Sequence, residues 1–359
     1  QTTLDALIQR FGRPDFVKID EEGFEAEVLQ GLTQALPALS FEFTTIQRDV
    51  AAAALGALRI FSAVLFGRRL IVHLHMASHA SYARKSAIFR VVRLLGARTV
   101  IHVHGGGFHF FYRDADAPLK KSIARTLSRA DLVLALSDEW SARLRRIAPG
   151  ANIRVLPNPV VADDFAPAKE CRDAVPQDGG TVLFLGAFLK RKGIYDLVEA
   201  MPAVVERRGD VVFELGGDQD VARVGELVAS KGLERNVRML GWVRGVDKLA
   251  AFTRAHVYAL PSYFEGVPIG VLEAQAAGLP IVTTPVGGIP EVVRDGVNGF
   301  VISPGDVGGL ASSILKLLED DGLRSRMSSS NIDFVRSRHD ASLVANMLCK
   351  WYYELADRK

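Results

Sequence analysis

The chain has 359 residues, 48% of them hydrophobic, with 44 basic against 41 acidic side chains and a formal net charge of +3. That length suits two α/β domains better than one core, and the apolar content is ample for burial. Apolar runs such as Ile60 to Phe66, interrupted by Ser62, are far short of the about 20 residues of a transmembrane helix, and the near-even charge balance argues neither for nor against nucleic acid.

The two cysteines, Cys171 and Cys349, lack CxxC spacing and read as plain core thiols in a reduced, cytosolic compartment. No secretory signal is visible, and the chain opens on Gln1 rather than Met, as a fragment or processed chain would. Residues 1–47 read as helix (Thr3 to Phe11), strand (Phe16 to Ile19), helix (Glu21 to Leu32) and strand (Leu39 to Phe43). The phrase DFVKIDEEGFEAEVLQGL, followed by LPALSFEF, resembles the C-terminal part of FkbM-like methyltransferases, with Asp20 and Glu22 at the family's acidic positions and Glu21 where an apolar residue is usual. That family binds S-adenosylmethionine at a glycine-rich turn after its first strand. No such turn precedes residue 16, so the segment, taken as residues 1–50, is expected to lend strands to the next lobe and not to transfer methyl groups. A right-handed parallel crossover would allow that.

A helix-like run from Arg48 to Phe66 leads into strand–helix–strand: LIVHLHM from Leu70, a basic helix from Tyr82 to Leu95, then TVIHVHGGG. His73 and His75 share one strand face, as do His102 and His104, because side chains alternate with period two. Two histidine pairs on neighbouring strands suggest a metal site, yet no Cys, Asp or Glu completes either pair, and packed or cleft-facing histidines are the expectation. His104 differs in standing at a strand's C-terminal end before Gly105, Gly106 and Gly107, the edge where open α/β sheets bind ligands. On the basic helix Arg84, Lys85, Arg90 and Arg93 oppose Ile88, Val91, Val92 and Leu95. This pattern fits a solvated surface helix or a patch that docks on an anionic membrane. Asp114-Ala115-Asp116 reads as a turn.

Strands at Leu132–Leu136 and Ile153–Leu156 end the lobe, taken as residues 51–160. Pro157 and Pro159 cannot continue a sheet, which places a linker there that extends to about Gly179. The second lobe, residues 161–339, opens with a strand from Val182 to Leu185, Gly186, and a basic loop with Lys190, Arg191 and Lys192 before a helix near Gly193. A basic loop between strand end and helix suits a diphosphate. Strand Val211–Leu215 reaches Gly216 and Gly217, and strand Val237–Leu240 reaches Gly241, Trp242 and Val243. Trp242 reads as a stacking platform or a packed core aromatic. Residues 340–359 form a terminal amphipathic helix.

Between these last features lies the most informative stretch, Tyr258 to Gly299. A strand from His256 to Leu260 ends at Pro261 and Ser262. A loop with Glu265 follows, and a helix runs from near Pro268 to Ala277, stopped by Gly278 and Pro280. A strand from Leu279 to Thr284 then reaches Gly287 and Gly288. Strand, loop and helix N-terminus form an anion site, because free N–H groups and the helix dipole converge there. Glu265 and Glu273 send two carboxylates toward one cleft, with the phosphate end near Gly266, Val267, Pro268 and Ile269.

The phrase E-G-x-P-x-x-x-x-E-A-x-A-x-G-x-P resembles the donor-site signature of family-four retaining glycosyltransferases, and the likeness runs from about Arg59 to the C-terminus. It implies the GT-B fold: two α/β Rossmann-like lobes with a cleft between them, here with a shortened N-terminal lobe and a terminal helix returning to it. It further implies transfer of a sugar from a nucleoside-diphosphate donor, UDP or GDP type, with retention of configuration. Glu273 would hold the ribose hydroxyls, Glu265 the transferred sugar, and Lys192 the diphosphate, with Gly186 and Gly217 at neighbouring turns and Val243 beside the nucleobase. The family's arginine position holds Ala187, which Lys190 or Arg191 would replace. His104 would face the donor sugar, while Gly105 and Gly106 line the acceptor side.

Cations and N–H groups stabilise a leaving diphosphate without a metal, and no DxD motif stands at a strand end, so no metal is expected to be required. The expected acceptor is a glycan or lipid-linked glycan of surface polysaccharide synthesis, met at the inner face of a membrane by peripheral contact, with no nucleic-acid partner. A vestigial nucleotide-sugar-binding protein and a sugar-nucleotide epimerase on the same architecture are the alternatives.

Overall fold

A computed structural model describes residues 17–19, 39–41, 71–104, 106–174 and 180–357. They divide into two units, the first drawn from residues 1–136, 140–156 and 348–359, the second from 137–139 and 157–347. Strands β1 (Val17–Ile19) and β2 (Leu39–Phe41) pair in parallel, Val17 against Leu39 and Ile19 against Phe41. They form a two-stranded sheet of their own, with β2 running beside the next strand rather than laddered to it. The helices expected over residues 3–11 and 21–32, together with Asp20 and Glu22, lie outside the described residues.

The main sheet of the first unit has the order β3 (Ile71–Met76), β4 (Arg98–Val103), β5 (Leu132–Ala135) and β6 (Ile153–Val155), all parallel. Parallel strands joined by helices are covered on both faces and so read as nearly continuous apolar runs; β5 is buried at every position. Leu74, Met76, Ile101, Val103 and Val133 pack with Phe108, Ile123, Leu127, Trp140 and Leu144 from the crossover helices. Asp116 caps the helix Ala117–Arg129: its side chain accepts the Leu119 N–H at 2.9 Å, and Pro118 occupies the first turn. The Asp114–Asp116 turn is thus half helix cap, as Asp before Pro permits.

The basic helix spans Ala80–Leu94 and buries Tyr82, Lys85, Ser86, Phe89 and Val92. Of the expected apolar face, Val92 is buried and Ile88 packs against the core, but Val91 is 55% exposed; Leu94, beside it, is 87% exposed. Lys85 lies on the packed side, where its long apolar stem covers core surface. Arg93 reaches Asp131 at 3.4 Å and the Arg129 carbonyl, so part of the basic stripe is spent on tying the helix to its neighbour.

In the second unit β7 (Thr181–Leu185), β8 (Val212–Gly216), β9 (Val237–Gly241), β10 (Val257–Leu260), β11 (Ile281–Thr283) and β12 (Gly299–Val301) form one parallel sheet in the order β12-β11-β10-β7-β8-β9. The chain enters at β7, builds β8 and β9 to one side, then returns to lay β10 on the other. That reversal leaves a crevice outside the carboxyl ends of β7 and β10, where open α/β sheets take their ligands.

Two helices had no clear sequence signal. Ala166–Ala174 sits in the stretch expected to be linker; Arg172 from it donates to the Ala277 carbonyl at 2.7 Å and the Phe252 carbonyl at 3.0 Å. Asp321–Arg338 is polar and docks through fully buried Asn331, which donates to the Leu279 and Asn298 carbonyls at 2.8 Å each and accepts from Gln275 at 2.8 Å. Met327 and Val335 are buried on the same face, so an amide at the centre of the packed stripe breaks the apolar pattern that would reveal it. Cys171 is exposed and Cys349 half-buried, both free, so the reading of two core thiols fails for Cys171.

Candidate functional site

The loops that leave β7 and β10 border the crevice. After β7 the chain makes a single 3-10 turn, Lys190–Lys192, and reverses at Gly193 in the left-handed region at φ +73°. A Cβ there would lie 1.9 Å from the Pro261 carbonyl oxygen, so glycine is required both by the turn and by the close approach of the β10 loop. The two loops are further joined by the Tyr263 N–H, which donates to the Arg191 carbonyl at 2.9 Å.

This approach brings together residues far apart in the chain. Lys192 Nζ lies 2.6 Å from Glu265 Oε1, and the Ser262 hydroxyl donates to the same oxygen at 2.9 Å. Glu265 is 7% exposed, so its charge is held by a cation and a hydroxyl rather than by bulk water. Glu273, in the helix Ile269–Ala276, meets Lys248 at 2.6 Å. Neither Ser262 nor Lys248 was expected from the sequence. Ser262 could have been found from its position three residues before Glu265 in a loop; Lys248 is on a separate helix, Gly245–Arg254, and nothing in its spacing points to Glu273.

Tyr258 ties the carboxylates into one region. Its hydroxyl donates to the Leu185 carbonyl at 3.2 Å, at the end of β7. Burial, then the charges of Glu273 and Glu265, push its phenol well above the ordinary range. Each of these carboxylates has a lysine beside it.

The helix Ile269–Ala276 begins at Pro268, and its first N–H groups have no acceptor within the helix. Of the Val267–Ile269 stretch, Pro268 carries no N–H, so an anion there would meet only Val267 and Ile269 from that run. Ile269 is 52% exposed, whereas Val267 is buried, its carbonyl accepting from Asn158 at 2.8 Å. Gly287, at φ +56°, comes so close to the Glu265 carbonyl that a Cβ would sit 2.0 Å away, which fixes the shape of the Glu265–Gly266 turn. Gly186 donates to the Gly216 carbonyl at 2.9 Å and Gly217 to the Gly241 carbonyl at 2.8 Å, aligning the ends of β7, β8 and β9.

Other expected residues are less tightly held. Arg191 and Lys190 are exposed on their turn and Val243 is half-buried after β9. Trp242 is 56% exposed with Arg244 5.7 Å from its ring, which excludes the packed-core reading. In the first unit, His104 follows β4 half-buried, its N–H donating to the Met76 carbonyl at 2.8 Å and its Nε2 lying 2.7 Å from His75 Nδ1. Gly106 begins the turn before the helix Phe108–Asp114, while Gly105 lies outside the described residues.

Residues 170–333 match the family described as Glycosyl transferases group 1, and residues 26–164 the one described as Glycosyltransferase Family 4. The second match begins ahead of Arg59 and overlaps the FkbM-like segment. A phosphatidyl-myo-inositol mannosyltransferase of Mycobacterium leprae is 34% identical over 62% of this chain and 59% of its own length. The chain thus spans less than two thirds of the length of the curated relatives it matches first. Among solved structures, sucrose-phosphate synthase from Thermosynechococcus elongatus superposes with a TM-score of 0.73 at 20% identity, over 89% of this chain and 88% of that one. Anabaena HepE, solved in complex with UDP, superposes with a TM-score of 0.73 at 18% identity, over 94% and 92%. With its two parallel-sheet α/β units, the chain has the GT-B fold.

Proposed function

We propose that this chain, built from two glycosyltransferase domains on a GT-B fold, moves a sugar from a UDP- or GDP-type donor to a glycan or lipid-linked acceptor. The observation that carries the proposal is the pairing of Lys192 with Glu265 at the crevice where the second sheet reverses its strand order. A cation beside a diphosphate opposes the charge that develops as the glycosidic bond breaks, with Arg191 and the first N–H groups of the helix at Ile269 acting in the same sense. Glu273 is suited to two adjacent ribose hydroxyls, since a carboxylate accepts two hydrogen bonds at once. Glu265, turned from Lys192 to the donor, would accept from the sugar hydroxyls, and His104 would face the sugar from the first unit. This chemistry asks for no metal at the diphosphate, and retention of configuration follows from the family resemblance.

An acceptor at a membrane is supported by the exposed Val91 and Leu94 beside Arg90 on the helix Ala80–Leu94, and by the name of the mycobacterial relative. No described helix is long and apolar enough to cross a membrane; the contact we propose is peripheral, on the cytoplasmic side. The FkbM-like reading of residues 1–47 is supported by its sequence phrase alone.

The test is acceptor-dependent release of nucleoside diphosphate from UDP- and GDP-sugars over a panel of glycan and polyprenyl-linked acceptors. Product with the donor's anomeric configuration by NMR is expected. Conversion of the donor without acceptor would favour the epimerase, and donor binding without product a vestigial binder.

A further inference from the structure

We propose that His73, His75 and His102 form a binding site for a zinc-class divalent transition-metal ion in the first unit. His73 and His75 are two residues apart on β3 and so project from one face, and the sheet register sets His102 of β4 directly opposite His75. One ring nitrogen from each lies within 4.8 Å of the others. All three are buried, at 6%, 5% and 6% exposure. Their rings sit in mutual contact, with centroids 4.5 Å apart for His73 and His75, 5.5 Å for His73 and His102, and 5.3 Å for His75 and His102.

The sequence offered two histidine pairs without an acidic or thiol ligand to complete either one. Parallel pairing of β3 with β4 removes that objection, because the pairs complete each other. Three imidazoles are a sufficient protein ligand set when a water or fourth residue closes the tetrahedron. A set of three neutral imidazole nitrogens selects zinc, cobalt, nickel or copper over magnesium or calcium.

The surroundings supply the outer hydrogen bonds that such ligands use. The Tyr352 hydroxyl lies 2.5 Å from His73 Nδ1, and His104 Nε2 lies 2.7 Å from His75 Nδ1. With Nδ1–H donated to these partners, the ion is bound through Nε2 of His73 and His75, and the second contacts fix the ring orientations. A tetrahedral site with metal–nitrogen bonds of 2.0–2.1 Å sets its ligand atoms about 3.3 Å apart, so side-chain rotation must draw the group together. His104, whose ring centroid is 3.9 Å from that of His102, is the half-buried neighbour of the group at the strand end. An occupied site would lock His104 through His75 and stiffen the turn that follows β4. The ligands belong wholly to the first unit, whereas Lys192, Glu265 and Glu273 belong to the second.

The test uses the full chain, stripped with chelator and dialysed against limiting Zn²⁺ or Co²⁺, with bound metal measured by plasma mass spectrometry and Co²⁺ geometry by visible absorption. One equivalent per chain with tetrahedral Co²⁺ bands is expected. His102→Gln and His73→Gln should each lower affinity at least tenfold, while exposed His79→Gln leaves it unchanged. Circular dichroism of each variant separates a lost site from a lost fold. Binding well below one equivalent, or equal affinity in wild type and both folded ligand variants, overturns the site. UDP and GDP titrations report on the second unit, so failure of the donor assignment and failure of the metal site are read separately.

Discussion

Lys192 and Glu265 decide how the site behaves at the scale of single residues. Glu265 is nearly buried, so removing Lys192 leaves its carboxylate without that cation, still accepting from the Ser262 hydroxyl. A double-mutant cycle with Lys192→Met and Glu265→Gln is expected to show a coupling of about 1–3 kcal/mol in chemical denaturation, the range for contacting charged groups. Additive effects would mean that the two do not interact in solution. Gly193 is held by a different constraint: a side chain there must both adopt φ +73° and displace the Pro261 carbonyl. Gly193→Ala should therefore destabilise by more than about 1 kcal/mol, measurable as a lowered denaturation midpoint. Glu265 and Glu273 were legible because the signature fixes residue type and spacing together, and Lys192 because a basic loop stands between a strand end and a helix. Lys248 was not, since its bond to Glu273 is made by folding one helix against another and leaves no local trace.

At the scale of elements, most strands could be read from apolar runs closed by glycine, proline or a polar residue, and the described ends shift by no more than about two residues. The helix Ala80–Leu94 shows where pattern reading fails. The apolar pattern put Val91 beside Val92 on the packed face, but the helix turns Tyr82, Phe89 and Val92 inward and leaves Val91, like Leu94, outside. The expected consequence is sharp: Phe89→Ala should cost about 3–5 kcal/mol, and Leu94→Ala should fall within about 0.5 kcal/mol of wild type by denaturant titration. Similar losses at both positions would contradict this orientation. The polar helix Asp321–Arg338 escaped notice because its packed face, Met327 and Val335, is interrupted by buried Asn331, whose amide hydrogen bonds help to seat it.

For the whole molecule, the strand order of each sheet lay beyond sequence reading, since alternation of strand and helix is compatible with several orders. The order β12-β11-β10-β7-β8-β9 is what turns two distant loops into one site. Global stability also carries a pH signature. Burial, reinforced by Arg324 and Arg172, lowers His256 to about 4, and its Nδ1 must stay neutral to accept the Thr181 N–H at 3.0 Å. Burial likewise lowers His339. Both histidines are neutral in the fold and take up protons on unfolding near pH 6.5, so stability is full above that pH and is lost as pH falls toward 4. The melting temperature should drop between pH 7 and pH 5, and His256→Gln should flatten part of that slope.

The donor site in the second unit is tested most directly by calorimetric titration of UDP and GDP into the wild-type chain and into Glu273→Ala. Saturable binding of one nucleotide by the wild type, weakened at least tenfold in Glu273→Ala, is the expected result. No binding by a folded wild type, or equal binding by the variant, would contradict the placement of the nucleoside at Glu273 and with it the donor-binding role of the crevice between β7 and β10.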